Sequence, residues 1–423
     1  MKISYGQDGT VVDALFKTKF SLKQGFDTRF DKKNQTELFD FVGFVITPSD
    51  ILAVLPKKFY SVDLIKKLNS SSAISEDVSL LFDVIHNYIS RENTSASAIK
   101  HIGNSPEFHS DYPFSSFFAI YKYYSQFGIY KEIENKTNTK KGIISWRDTI
   151  RKSIKIVDGN NIIHLPIYYK TNKFSEVFVS DCMIFAINHT LERFPFFLKM
   201  QKTNYKTPNF DFLENSDYVI NYLQRIKGKI FKDINKNLIN SLIDFFEQIA
   251  LNLKGGNIHV KINYFDRIWE KLVETHLNNR FIAVDENTKE IIFGSSTVNK
   301  VVFQKKTFAI DMSNNLFHIS PDYYLLSNDV QYIFDAKYYL SINSLNYKQI
   351  SYNQLLAGLS PKVCSILILP CNGVSYSRTH FLLSTEFRIK DDEGHEIIEQ
   401  YLNIRQLMHH YISRSNENAD KIE

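Results

Sequence analysis

Pro321-Asp322 and, after a short gap, Ile333-Phe334-Asp335-Ala336-Lys337-Tyr338-Tyr339 are the two stretches that point most directly to a fold and a chemistry. Residues two apart in a strand point to the same face, so Asp335 and Lys337 would project together while Ala336 turns towards the core. Two carboxylates can hold Mg²⁺, and an ammonium beside them can orient an attacking water. The pattern therefore predicts a metal-dependent phosphodiesterase site at Asp322, Asp335 and Lys337.

An acidic residue two positions before a lysine is a weak signal by itself. The sequence holds three such triplets: Asp31-Lys32-Lys33, Glu134-Asn135-Lys136 and Asp335-Ala336-Lys337. Only the third is flanked on both sides by strand-forming residues, and only the third follows a Pro-Asp that a turn at Ser327-Asn328-Asp329 could fold back onto it. The alternative interpretation is an edge strand with an ordinary surface ion pair.

Two predicted helices flank this motif. Apolar residues recur at helical spacing from Tyr264 to Val273, and Glu270 lies one step from that apolar stripe, where its carboxylate could reach the metal. Downstream, Tyr352 to Ala357 predicts a helix with Gln354 at the edge of its apolar side, before a strand over residues 364–369. The order helix, strands, Asp322, Asp335-x-Lys337, helix, strand resembles a PD-(D/E)xK nuclease core. The alternatives are a plain surface acid for Glu270 and a plain helix amide for Gln354.

Composition narrows the class of protein. The chain has 423 residues, 43% of them hydrophobic, with few Gly and Pro, which favours several packed domains over long disordered linkers. No apolar run approaches the roughly 20 residues of a membrane span, and residues 1–6 lack the apolar core of a signal peptide. The three cysteines have no metal-ligand spacing. We therefore expect a cytoplasmic protein with no membrane partner and no zinc.

Charge is unevenly distributed along the chain. Residues 256–423 contain 17 Lys and Arg against 19 Asp and Glu, whereas residues 1–255 contain 34 against 27. Basic surfaces bind phosphate, so contacts to nucleic acid or to an acidic protein would lie mostly before residue 256. The alternative is a lysine-rich surface that is simply solvated.

The fold class predicted from these patterns is an α+β multidomain protein. Residues 1–65 form a small β-rich domain, with a hairpin from residues 38–46 to 51–55. Residues 66–255 form a mostly helical middle region, with helices at 218–230 and 238–253. Residues 256–415 form the α/β nuclease core, with a final amphipathic helix at 393–413, and residues 416–423 form a polar tail. A Gly-rich nucleotide loop is not found, so an NTPase activity is not expected.

Three groups of residues resemble known restriction proteins. The C-terminal pattern and the N-terminal stretches resemble McrC, the nuclease subunit of the 5-methylcytosine restriction system. The middle stretches are similar to the LlaJI family of restriction endonuclease subunits, which is related to McrC. The residues that carry the resemblance are Phe41-Val42-Gly43-Phe44-Val45, Ile51 to Lys57, Ile144 to Ile150, Leu165 to Tyr169, Trp269-Glu270, Ser320-Pro321-Asp322, Phe334 to Tyr338 and Gln354 to Ala357.

The resemblance implies a second protein and a DNA substrate. A McrC-like subunit works with a McrB-like AAA+ GTPase subunit, docks on it through its N-terminal domain (here residues 1–65), and cleaves double-stranded DNA with Mg²⁺. Asp322, Asp335 and Glu270 would then be the metal ligands, Lys337 would position the water, and Gln354 would contact the site or the DNA backbone. Two alternatives remain: a stand-alone repair or recombination nuclease, and a non-catalytic bridging subunit that stimulates an AAA+ ring.

Overall fold

The computed structural model describes residues 2–47, 49–71, 76–92, 108–141, 143–159, 161–175, 177–195, 197–252, 257–294, 301–311, 317–359, 362–387 and 396–419. The chain forms two compact units, one made of residues 1–111 and 256–423 and the other of residues 112–255. The predicted ranges 1–65 and 256–415 therefore contribute to one unit.

The helices and strands make this a mixed α/β protein. The N-terminal part of the first unit contains β1 (Lys2–Gln7), α1 (Ala14–Lys19), β2 (Thr28–Asp31), β3 (Thr36–Phe39), β4 (Val42–Ile46), β5 (Asp50–Leu55), α2 (Val62–Ser71), α3 (Asp77–Glu92) and β6 (Phe108–Ser110). The second unit contains α4 (Phe114–Phe127), β7 (Glu132–Asn138), β8 (Ile143–Ile144), α5 (Trp146–Lys152), β9 (Ile154–Asp158), β10 (Asn161–Leu165), β11 (Tyr169–Ser175), α6 (Phe178–Arg193), α7 (Ser216–Lys227) and α8 (Asp233–Asn252).

The rest of the first unit follows residue 256. It contains β12 (Ile258–Ile262), α9 (Phe265–Arg280), β13 (Phe281–Val284), β14 (Ile291–Phe293), β15 (Phe308–Ala309), β16 (His318–Ile319), β17 (Tyr323–Ser327), β18 (Val330–Ala336), α10 (Tyr347–Leu356), β19 (Lys362–Cys371), β20 (Tyr376–Leu382), β21 (Glu396–Asn403) and α11 (Ile404–Ala419).

The N-terminal sheet has the strand order β1-β5-β4-β12-β6. The predicted hairpin is present as β4 and β5, but residues 38 and 39 belong to β3, which pairs with β2 in a separate sheet. β12 pairs antiparallel with β4, which joins the two distant parts of the sequence in one sheet. At Gly43 the backbone has φ +139°, and a Cβ would lie 2.1 Å from the carbonyl oxygen of Val260, so this contact requires glycine.

The C-terminal sheet carries the predicted motif. Its order is β17-β18-β19-β21-β20, with β18, β19 and β21 parallel and both edge strands antiparallel. The central strands bury both faces, as parallel strands covered by helices do: Ile333, Phe334 and Asp335 are all fully buried.

The helix predicted around Glu270 is confirmed as α9, which continues to Arg280. The side chains predicted to form its apolar stripe are buried: Phe265, Ile268, Trp269, Leu272 and Val273. The indole Nε1 of Trp269 donates to the carbonyl oxygen of Ile368 at 3.4 Å, so α9 is fixed against the central strand β19.

The prediction of one helix over residues 393–413 was wrong in its first half. Residues 396–403 form β21, and helix α11 begins only at Ile404; residues 393–395 lie outside the described residues. β21 lies between β19 and β20, where adjacent side chains such as Ile397 and Ile398 are both buried. The polar residues Glu399 and Gln400 are buried as well, so the apolar residues at 397, 398, 401 and 402 recur at a helical spacing although the segment is a strand.

The second unit combines helices with short sheets. The two helices predicted in it are confirmed as α7 and α8, within a few residues at their ends. α4 and α6 contact α8, and the strands form a three-stranded sheet β7-β11-β8 and a β9–β10 hairpin. In the described part of the chain, every helix is too short or too polar to cross a membrane.

Candidate active site

One hairpin brings Asp322 and Asp335 together. β17 and β18 pair antiparallel through a two-residue turn at Asn328 and Asp329, whose φ angles of 49° and 59° are those that a tight hairpin turn requires. The register pairs Tyr323 with Phe334. Asp322 precedes the first paired residue and Asp335 follows its partner, so the two carboxylates face each other at the open end of the hairpin.

Asp335 is fully buried and is held beside Lys337. Its Oδ2 forms an ion pair with Lys337 Nζ, and that lysine side chain is 19% exposed. The backbone N–H of Lys337 donates to the carbonyl oxygen of Ile368 at 2.8 Å, which continues the pairing with β19 one residue beyond the strand. The spacing of two residues therefore places the carboxylate and the ammonium together, as the alternation of side chains in a strand predicts.

The two carboxylates have opposite pKa shifts. Burial raises the pKa of Asp322 to about 8, and the neighbouring Asp335 carboxylate contributes to the increase. Burial also acts to raise the pKa of Asp335, but its interactions with Asp322 and with the Lys337 ammonium outweigh burial and lower it. Near neutral pH the pair therefore shares one proton, with the negative charge on Asp335.

A second lysine, Lys348, reaches the same carboxylates and was not predicted. Its Nζ lies 3.7 Å from Asp335 Oδ1 and 4.0 Å from Asp322 Oδ1. Burial acts to lower the pKa of Lys348, but the two carboxylates outweigh it and raise that pKa. Lys348 occupies the first turn of α10, where the side chain of Asn346 caps the helix by accepting from the N–H of Gln349. The sequence pattern predicted that this helix begins at Tyr352 and therefore missed its first turn. Asn346, which caps the helix, was the sequence signal for the earlier start.

Glu270 lies near the pair without joining it. It is half-buried on α9, and burial raises its pKa, with Asp266 and Asp335 adding to the shift and Lys305 and Lys337 opposing it. Within the described ranges, no three His, Cys, Asp or Glu side chains are grouped closely enough to hold a metal ion. Glu270 is therefore within electrostatic range of Asp335. Its role as a third metal ligand stays a prediction.

Gln354 lies on the exposed side of α10. It follows Lys348 by six residues, which places it about 120° away around the helix. The buried amides of this helix are instead Gln349 and Asn353, and Gln349 Nε2 donates to the carbonyl oxygen of Ile333 at 2.9 Å. The structure brings Asp322, Asp335, Lys337 and Lys348 together, and leaves Gln354 outside this group.

The carboxylate pair fits a divalent cation. Both oxygens of Asp335 are buried, and the two lysines and Asp322 lie beside them. Carboxylate oxygens are the ligands that Mg²⁺ prefers, and a bound cation would offset both the burial and the neighbouring Asp335 charge that raise the pKa of Asp322. Asp322 and Asp335 could therefore hold the ion, with Glu270 as a further carboxylate within electrostatic range.

The strand that carries the site is also tied to the N-terminal sheet. Tyr338 is buried, and its hydroxyl accepts from the backbone N–H of Lys57 at 2.8 Å. Lys57 Nζ lies 4.2 Å from the centre of the Tyr338 ring and 3.4 Å from Asp8 Oδ2. Tyr338, the residue after Lys337, is thus held by Lys57, which follows β5.

The sequence model of the LlaJI restriction endonuclease family matches residues 41–352, which is most of the chain. The chain belongs to the LlaJI restriction endonuclease family. The match to this family includes Glu270, Asp322, Asp335, Lys337 and Lys348, and it ends before Gln354.

Several solved chains are similar to this LlaJI-family chain. None of the curated proteins matches it. Among solved structures, the chain is similar to one chain of the refined half-complex from the tetradecameric assembly of Thermococcus gammatolerans McrB AAA+ hexamers with bound McrC. The two share 12% sequence identity with a TM-score of 0.38, over 99% of this chain and all of the other.

Proposed function

We propose that this chain is the nuclease subunit of a GTP-dependent restriction system and hydrolyses DNA phosphodiesters with Mg²⁺ through a PD-(D/E)xK core. The observation that carries the proposal is the convergence of Asp322, Asp335 and Lys337 at one end of the C-terminal sheet. Membership of a restriction endonuclease family supports the reaction class.

The carboxylates and lysines have separate roles in this proposal. Asp322 and Asp335 hold the metal ion, which when bound polarises the phosphate and lowers the pKa of a water molecule. Lys337 lies beside Asp335 and orients the attacking water or helps to deprotonate it. Glu270 completes the metal shell or orients the water from α9.

Lys348 adds a second positive charge at the edge of this site. Its side chain is 48% exposed, so its ammonium is open to solvent while it lies near both carboxylates. A cation placed where charge develops stabilises the pentacovalent transition state of phosphodiester hydrolysis. Lys348 would therefore bind a non-bridging oxygen of the scissile phosphate, whereas Gln354, on the exposed side of α10, would at most contact the DNA backbone.

The proposed partner is a McrB-like AAA+ GTPase. This part of the proposal rests on the resemblance of residues 41–57 and of the C-terminal motif to McrC. It agrees with the lack of a Gly-rich nucleotide loop in the sequence. The partner would supply GTP hydrolysis and DNA recognition, and this chain would supply the cleavage.

The test is plasmid cleavage with Mg²⁺ by the purified chain, alone and with an AAA+ partner and GTP, with Asp335→Asn as the control. We expect cleavage only with partner and GTP, lost in the variant. Cleavage by the chain alone would establish a stand-alone nuclease instead. Stimulated GTP hydrolysis without cleavage by the wild type would establish a non-catalytic bridging subunit, and undiminished cleavage by Asp335→Asn would refute the site.

A further inference from the structure

A cavity of about 290 Å³ opens beside the end of β19, on the C-terminal sheet. We call it the Tyr376 pocket, and its polar and aromatic lining residues are Lys58, Ser341, Asn372, Tyr376, Arg378 and Tyr401. A volume near the lower end of the roughly 300–1,000 Å³ range of ligand pockets suits one small ligand. None of the roles assigned above uses these side chains.

The lining combines two cations with an aromatic platform and contains no carboxylate. Tyr376 stacks on the buried Tyr401 ring, with 4.4 Å between ring centroids and 7° between planes. Because Tyr376 remains 44% exposed, part of its surface is open to a ligand. A planar group can stack on such a ring, and a lining that holds two cations and no carboxylate of its own favours an anion.

The platform is fixed by the buried carboxylate of Glu399. Arg378 Nε lies 2.6 Å from Glu399 Oε2, and His380 Nδ1 lies 2.7 Å from Oε1. The Tyr401 hydroxyl also donates to Glu399. The ion pair uses Nε of Arg378, so its terminal amino groups are left without an ion-pair partner among the residues that the structure describes, and the side chain is 51% exposed. Arg378 is therefore held in place, and its terminal amino groups can still donate hydrogen bonds to a ligand.

The pocket and the carboxylate site share one face of the sheet. The strand register aligns Asp335 with Leu367, Leu367 with Glu399, and Glu399 with Arg378, in one row across four strands. Residues paired across strands point to the same face, so Arg378 and Asp335 lie on one side, about 14 Å apart at about 4.8 Å per strand. That separation corresponds to a few nucleotides of one strand, given a rise of about 3.4 Å per nucleotide in duplex DNA.

We propose that the Tyr376 pocket binds one unpaired nucleotide of the DNA strand, with its base against Tyr376 and its phosphate between Lys58 and Arg378. This inference rests on the proposed function in one respect, because DNA as the source of the nucleotide follows from that function. It adds a site that holds the strand a few nucleotides from the scissile phosphate. A free nucleotide offers the same chemistry, and the experiment distinguishes the two.

The test measures binding in EDTA, so it does not depend on cleavage. Fluorescently labelled single-stranded octathymidylate, the matching duplex and dTMP are titrated against the full chain, Tyr376→Leu, Lys58→Met and the control Lys362→Met. Lys362 is exposed at the opposite end of β19. We expect Tyr376→Leu to weaken octathymidylate binding about 5- to 100-fold, as loss of one stacked base does. Lys58→Met should lower the salt slope by about 1, and Lys362→Met should change neither.

The possible results of these titrations separate the pocket, the source of its ligand and the proposed function. Equal binding of both octathymidylate and dTMP by the wild type and the two pocket variants, or binding of neither ligand by the wild type, overturns the pocket. If Tyr376→Leu weakens the binding of dTMP but not of octathymidylate, the ligand of the pocket is a free nucleotide and not the DNA strand. If binding depends on the pocket and no cleavage is found under any condition, the proposed function fails and the nucleotide site stands.

Discussion

Asp322 and Asp335 face each other across the open end of a single hairpin, because Tyr323 pairs with Phe334 in its register. The two carboxylates are close in sequence, yet their pKa values shift in opposite directions. The pKa of Asp322 is raised to about 8, and that of Asp335 is lowered. A site in which burial and a neighbouring carboxylate keep one carboxyl protonated can exchange that proton for a metal ion.

Lys337→Met should lower kcat for DNA cleavage by about 10²- to 10⁴-fold, the usual contribution of a positioned acid–base group. Its ammonium contacts Asp335 directly, so the loss should fall on the chemical step. Single-turnover cleavage with pre-bound DNA isolates that step. DNA binding in EDTA serves as the control and should change little; a variant that cleaves at the wild-type rate contradicts the role given to Lys337.

The metal-free protein should lose stability as pH rises from about 4 to about 8. The pKa of Asp322 is raised in the folded state, so the folded protein holds a proton there that the unfolded chain, with a pKa of 3.8, has released. Because the carboxyl pKa is raised on folding, Asp322 stabilises the folded state fully below pH 3.8. As pH rises towards 8 this contribution is lost, and the free energy of unfolding falls by at most about 1.4 kcal/mol per pH unit.

Thermal unfolding in EDTA across this pH range measures the effect. Asp322→Asn should flatten the profile, because the group that titrates is gone. Mg²⁺ should stabilise the wild type more at pH 8 than at pH 6, since it competes with the proton. An EDTA profile that is the same for the wild type and Asp322→Asn would show that Asp322 does not titrate in this range.

Lys348→Met should reduce kcat by up to about 10³-fold, the loss expected for one preorganised transition-state donor. It should also tighten Mg²⁺ binding, because its positive charge lies 3.7 Å from Asp335 and competes with the ion. Calorimetric titration of Mg²⁺ and single-turnover cleavage give the two readings. Lys362→Met removes the same charge at the other end of β19 and should leave both unchanged. Weaker Mg²⁺ binding in Lys348→Met would mean that the lysine supports the metal site instead.

Gly43→Ala should destabilise the first unit by at least about 3 kcal/mol, since backbone strain and a severe overlap act together. The added Cβ would lie 2.1 Å from the carbonyl oxygen of Val260 at a φ of +139°. Gly25→Ala is the matched control, because Gly25 has φ +83° but no atom within 4 Å of its Cβ position. It should cost only about 1–2 kcal/mol. Urea unfolding followed by the fluorescence of buried Trp269 compares them, and equal losses would show that the overlap relaxes.

Local pattern was sufficient for the hairpin, for α9 and for the pair formed by Asp335 and Lys337. In each case the information lies within a few residues: turn residues at 328 and 329, a helical apolar stripe, and a two-residue alternation in a strand. The same reasoning failed for β21, because this central strand buries polar residues such as Glu399 together with its apolar ones, and their partners lie on other strands.

The sequence by itself determined which side chains of this protein are available for chemistry and in what order they occur, because strand alternation and turn geometry are local properties. Only the tertiary structure decided which of them meet. It brought Lys348 to the carboxylates, left Gln354 exposed and aligned Arg378 with Asp335 across four strands. Those outcomes depend on where α10 begins and on the register of strands far apart in sequence, which are set by packing and not by local pattern.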